Sequence, residues 1–137
     1  MRIPRFSLAA AAVNGKIYAI GSSTANLQGA VNTVEIYDPS RDSWTTAASM
    51  PTARWGLGAA AVNGMIYAIG GDNGGAVLST VEVYDPSTNS WSTAASMLIA
   101  RDIFGTADVN GLIYVLGGFF DGHLINAAEQ YSPPGLD

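Results

Sequence analysis

A segment of about 47 residues occurs three times in this chain, and no other feature constrains its fold as much. Val-Asn-Gly at 13–15, 62–64 and 109–111 is spaced by 49 and then 47 residues. Thr-Val-Glu at 33–35 and 80–82 aligns with Ala-Ala-Glu at 127–129, spaced by 47 both times. Tyr37-Asp38-Pro39-Ser40 recurs as Tyr84-Asp85-Pro86-Ser87 and, altered, as Tyr131-Ser132-Pro133-Pro134, while Ser43-Trp44 recurs as Ser90-Trp91. All six tyrosines and all three glutamates occupy repeat positions. Repeats of this period are supersecondary units that bury their apolar faces only against neighbours, so they stack into an array or a ring.

The repeat also decides the reading of the N-terminus. The opening MRIPRFSLAAAAV has the basic start, apolar run and Ala-x-Ala end of a secretory signal. The same segment returns as MPTARWGLGAAAV at 50–62 and MLIARDIFGTADV at 97–109, so it is read as structure. The apolar run is too short to span a bilayer. With no signal or membrane segment, a soluble cytoplasmic protein is expected.

Each copy reads as four short strands. Leu8 to Val13, Leu57 to Val62 and Phe104 to Val109 form the first, rich in small residues. Asn-Gly then separates it from a second apolar run, Ile17-Tyr18-Ala19-Ile20 in copy one. Between two apolar runs this pair predicts a type I′ hairpin, which needs positive φ at both central residues. The second strand ends in Gly21-Ser22, Gly70-Gly71 or Gly117-Gly118 and is followed by a variable loop. Thr-Val-Glu-Ile-Tyr and its equivalents make the third strand, with β-branched and aromatic residues. Asp-Pro-Ser starts the next turn, and the fourth strand carries Trp44 or Trp91. No stretch has a helical period.

Composition narrows the chemistry. Apolar residues make up 48% of the 137, enough for a core, and charged residues only 12%. A net charge of −5 argues against nucleic-acid binding, which needs a basic footprint. The absence of cysteine excludes disulfides, thiolate metal sites and cysteine nucleophiles. One histidine, His123, has no second imidazole with which to share a metal. No serine sits in a nucleophile elbow, and the Asp72-Asn73-Gly74-Gly75 and Asp121-Gly122 stretches are too sparse for a calcium loop. No cofactor or metal is expected.

Ile-Tyr-Ala-Ile-Gly-Gly at 66–71, Thr-Val-Glu-Val-Tyr-Asp-Pro at 80–86, Trp91 and Arg101, with their parallels in the other copies, resemble the kelch repeat over essentially the whole chain. The resemblance implies an all-β fold of kelch-type β-propeller blades. On this reading 1–137 is one domain, with units 1–49, 50–96 and 97–137 and eleven strands, the last unit lacking its outermost strand. Ser22, in place of the second glycine, and the absent third tryptophan strand depart from the family pattern. Kelch rings usually have six or seven blades, so three leave two blade faces open. Two copies joined head to tail would complete a six-bladed homodimer. The competing expectation is a fragment of a longer kelch protein with a structural role.

Arg5, Arg54 and Arg101 each lie nine residues before the Asn of their Asn-Gly turn and account for three of six basic residues. The resemblance implies a ring of guanidinium groups at the pore mouth that could hold a carboxylate-bearing peptide. The plainer expectation is that each arginine bonds carbonyls or an Asp of a neighbouring blade. Phe6, Trp55 and Asp102, the residues that follow, diverge between copies and mark a ligand face, with Trp55 as its anchor. In the family the loops after the second strand open on that same face, which adds Asn26, Asp72, Asn73, Phe120, Asp121 and His123. One of Phe119 and Phe120 is expected to cover the core. Glu35, Glu82 and Glu129 are expected to be structural, bonding loop amides or an inter-blade partner. The function implied is a non-enzymatic binding module. The alternative is a sugar-acting isomerase or mutarotase-like kelch enzyme, for which Arg101, Asp102, Asp108 and His123 would supply the polar groups.

Overall fold

The computed structural model describes residues 1–24 and 29–134. Two four-stranded antiparallel sheets and one three-stranded sheet follow one another along the chain. Sheet 1 contains β1 (Ala9–Val13), β2 (Lys16–Ser23), β3 (Ala30–Asp38) and β4 (Ser43–Thr46), hydrogen-bonded in chain order. Sheet 2 repeats that order with β5 (Gly58–Val62), β6 (Met65–Ile69), β7 (Val81–Asp85) and β8 (Ser90–Ala94). Sheet 3 has β9 (Gly105–Val109), β10 (Leu112–Leu116) and β13 (Ala128–Tyr131), separated in sequence by a two-strand hairpin of β11 (Phe119–Phe120) and β12 (His123–Leu124). The eleven sheet strands match the sequence reading, whereas the small hairpin replaces an expected loop. Its Asp121-Gly122 turn has φ of 50° and 74°. The signal-like N-terminal run is strand β1, and among the described residues no helix is long and apolar enough to cross a membrane.

The first two strands of each sheet join at the Asn-Gly turns. At Asn63-Gly64, for example, φ is 52° and 77°, the left-handed pair a type I′ turn requires. The Asp-Pro-Ser turns are closed by the aspartate, whose Oδ1 accepts from the Ser40 amide at 3.0 Å and the Ser87 amide at 2.8 Å. These bonds hold Asp38 and Asp85 below the ordinary carboxylate range, with the serine hydroxyls contributing most.

Strand alternation gives every sheet two apolar faces, and the sheets stack through them. Tyr18, Ile20 and Val34 of sheet 1 meet Ile66, Ala68 and Tyr84 of sheet 2. Tyr67, Ile69 and Val81, on the other face of sheet 2, meet Ile113, Val115 and Tyr131 of sheet 3. Each fully buried isoleucine contributes roughly 1.5–3 kcal/mol. Burial raises the phenols of Tyr18, Tyr67, Tyr84 and Tyr131 above their ordinary value. Trp91 locks the first junction, its Nε1 donating to the Ala48 carbonyl at 2.9 Å, and Asn89 Oδ1 accepts from the Ala48 amide and the Tyr84 hydroxyl.

At the glycine doublet the backbone of the neighbouring repeat passes close by. A Cβ on Gly70 would lie 2.6 Å from the Arg101 carbonyl oxygen, and one on Gly71 would lie 2.7 Å from that of Trp55. Both residues have positive φ, 57° and 96°, and the Gly71 amide donates to the Arg101 carbonyl. Ser22, at the position of Gly71, keeps the equivalent bond to the Arg54 carbonyl. It does so from within a lengthened β2, after a register shift between Ile20 and Ser22. The longer strands of sheet 1 absorb the departure from glycine.

Candidate recognition face and the buried arginines

The three arginines are internal. Arg54 and Arg101 have no solvent exposure, and the Arg5 side chain is almost as enclosed. Each pairs with the glutamate of its own repeat: Arg5–Glu35 at 2.7 Å, Arg54–Glu82 at 3.0 Å and Arg101–Glu129 at 3.3 Å. Other N–H groups at the guanidinium tips reach backbone carbonyls in or just after the second strand and in the segment leading into the third, while the Nε of each arginine is buried without a hydrogen-bond partner. Arg54 donates to Ala68 and Thr80, and Arg101 to Gly117 and Ala127. The other glutamate oxygen accepts from the chain just upstream of the arginine, from the Arg2 amide, the Thr52 hydroxyl or the Leu98 amide. Burial pulls Arg54 below its ordinary value, and the Glu82 charge opposes that pull.

This arrangement corrects the expectation of a pore-mouth ring. Arg5, Arg54 and Arg101 tie three strands of one repeat together and leave no guanidinium fork open to a carboxylate ligand. Their partner is a glutamate of the same sheet, not an aspartate of a neighbour. The loop-amide role expected for Glu35, Glu82 and Glu129 is observed. The sequence did hold the signal for the pair: one Arg and one Glu per repeat, at separations of 30, 28 and 28 residues.

The residues that follow the arginines do lie together with the loops. Phe6 bridges Ser23, Trp55 bridges Asp72, and Asp102 bridges Phe119, each as an isolated antiparallel pair. The backbone therefore fixes three equivalent side-by-side positions where the copies differ in chemistry. Loops of all three repeats then meet in a cleft of about 550 Å³, lined by Gly29, Trp55, Asp72, residues 74–77 and Asp121. Asp72 is held by its own turn, its Oδ1 accepting from the Gly74 amide at 2.6 Å. Asn73 likewise spends its side-chain oxygen on the Gly75 and Ala76 amides. The charged side chains of this lining are both carboxylates, Asp72 and Asp121.

Asp102 is only 5% exposed. Burial raises its carboxyl above the ordinary value, and the nearby Asp72 charge adds to the shift. Phe6 and Phe120 are exposed, as is His123 on β12. Phe119 is exposed as well, so neither phenylalanine of that pair covers the core, because the β11–β12 hairpin carries both away from it. Asn26 lies outside the described residues. No hydrogen bond or ion pair joins Asp102, Asp108 and His123 among the described residues, and no group of three His, Asp or Glu there could hold a metal ion.

Comparison with known proteins agrees with this architecture. The Kelch motif family matches residues 4–51 and 53–98, well over half of the chain. The chain belongs to the kelch-motif family. Among curated relatives, the F-box protein AFR of Arabidopsis thaliana is 41% identical over 51 residues. That alignment covers 37% of this chain and 14% of the F-box protein, so it spans a small part of the relative's length.

Proposed function

We propose that this kelch-repeat chain is a non-enzymatic binding module whose loop side recognises a peptide, and that the peptide presents a cationic side chain. The observation that carries this reading is the cleft to which all three repeats contribute, with Trp55 beside Asp72 and Asp121. A lysine or arginine over an indole gains cation–π attraction, and adjacent carboxylates add charge-assisted hydrogen bonds. On this reading Phe6, Asn73, Phe120 and His123 belong to the rim of the recognition surface. The three sheets are read as successive blades of a β-propeller in units 1–49, 50–96 and 97–137, with a six-blade ring completed by two copies. The kelch motif of this chain and its partial similarity to an F-box protein support a role in protein interaction.

Binding of a labelled lysine-rich peptide and a glutamate-rich peptide of equal length, followed by fluorescence anisotropy, tests the ligand class. The lysine-rich peptide is expected to bind and to weaken with salt. Trp55→Ala should reduce its affinity at least tenfold. Asp72→Asn should weaken it while keeping the turn, because the amide oxygen still accepts from Gly74. Preference for the glutamate-rich peptide would overturn the reading.

A further inference from the structure

We propose that the two open end faces of the array are complementary to each other, so that the outer face of sheet 3 in one copy seats on the outer face of sheet 1 in a second. This rests on reading the sheets as blades, and it names the surfaces that close them. The argument comes from the two junctions already inside the chain. Each one places a tyrosine of the second strand against a tyrosine of the next sheet's third strand. The Tyr18–Tyr84 ring centroids are 5.7 Å apart and those of Tyr67 and Tyr131 are 6.1 Å apart. The next pair in this series is Tyr114 with Tyr37 of another copy.

Both surfaces needed for that third junction are present and uncovered. Ile20 and Ile69 are fully buried, whereas Leu116 at the same position of sheet 3 is 49% exposed. Val62 is buried, and its equivalent Val109 is 50% exposed. On the opposite end, Ile66 and Ile113 are fully buried while Ile17 is 39% exposed. A sheet face that meets only water carries polar residues at such positions; these two faces keep Leu116, Val109 and Ile17, with Gln130 the polar exception. Gln130 stands where sheets 1 and 2 carry Ile36 and Val83, and its side-chain oxygen already accepts from the Tyr114 hydroxyl.

The receiving face is also preassembled. The Tyr37 and Trp44 rings lie tilted against each other with centroids 5.0 Å apart, as those of Tyr84 and Trp91 do at 5.2 Å. The second of these pairs is the one seated on a preceding sheet. The occupant that reproduces the internal chemistry on both ends at once is therefore a second copy. Such a contact is head to tail, and two copies close it without leaving a free face.

The chain has no cysteine, so introduced cysteines report without ambiguity. In the full chain, Tyr37→Cys combined with Tyr114→Cys and treated with a short bis-maleimide is expected to give a covalent dimer near twice 14.2 kDa. Neither single variant should crosslink. Failure of the double variant, or crosslinking by one single variant, would overturn the head-to-tail junction. A ladder of larger species would overturn closure by two copies. Light scattering gives the second readout. Leu116→Lys, at an exposed position, is expected to halve the solution mass without altering the circular dichroism spectrum. A dimer indifferent to Leu116→Lys would overturn this junction and leave a two-copy ring by another contact standing. A wild-type monomer at tens of micromolar would overturn both. Neither result bears on the loop-side cleft, which the peptide titration tests separately.

Discussion

Arg54→Met isolates the role of the buried arginines. The substitution preserves much of the side-chain volume but removes the cation, leaving Glu82 only 3% exposed with the Thr52 hydroxyl and amide as its partners. Breaking a buried pair by deleting one member typically costs about 3–5 kcal/mol, because the remaining charge stays desolvated and uncompensated. Against a domain stability of about 5–15 kcal/mol that is a large share. Urea unfolding followed by tryptophan fluorescence measures it. The double variant Arg54→Met/Glu82→Leu removes the stranded charge and should recover about 2 kcal/mol of the loss. It should not recover everything, since Ala68 and Thr80 each lose a guanidinium donor. A single-variant cost below about 1 kcal/mol, or a double variant less stable than the single, would refute the buried-tie reasoning. Loss of peptide binding at unchanged stability would refute it too, by showing a ligand group instead.

Four further outcomes follow from the packing and charge. Gly70→Ala places a Cβ 2.6 Å from the Arg101 carbonyl at φ of 57° and should cost about 2–3 kcal/mol by urea unfolding. Gly64→Ala, with nothing within 4 Å of the new Cβ, should cost only about 1 kcal/mol for its positive φ. Trp91→Phe deletes the donor to the Ala48 carbonyl and should destabilise by about 1 kcal/mol in the same assay. Asp102 supplies the pH dependence. Its raised carboxyl holds the proton more tightly folded than unfolded, so it favours folding below the ordinary carboxylate range and loses that contribution as pH rises through the folded value. Asp102→Asn should therefore stabilise the protein at about pH 7 and change little at about pH 3, measured by thermal unfolding at both.

Much of this fold was legible because its determinants are local and recur. Asn-Gly dictates a turn, Asp-Pro-Ser dictates another, and the period-two runs between them have nowhere to go but into sheets. The glycine doublet was visible as a motif, but its reason was not. Gly70 is glycine because a carbonyl from the next repeat passes where its Cβ would be, and that approach exists only after stacking. The carbonyl bonds expected of the arginines are observed, but their glutamate partners were not foreseen, for the same kind of reason. Arg54 and Glu82 are 28 residues apart, and their contact depends on the order of strands within a sheet. The arginine basis for an anionic ligand is lost with that burial. Trp55, Asp72 and Asp121 were legible as divergent positions on adjacent loops, although their meeting in one cleft required the backbone bridges. The Phe119–Leu124 hairpin was missed although its Asp-Gly turn between apolar residues is a hairpin signal.

The central claim is that recognition occurs at the loop-side cleft around Trp55, and the indole N–H resonances test it most directly. The chain has three tryptophans in three distinct settings: Trp55 in the cleft, Trp91 at the first sheet junction and Trp44 on the end face. In a proton–nitrogen correlation spectrum titrated with the lysine-rich peptide, the Trp55 indole signal should shift progressively while those of Trp44 and Trp91 stay in place. A shift of Trp44 or Trp91 with Trp55 unmoved would contradict the account and put the binding surface elsewhere on the molecule.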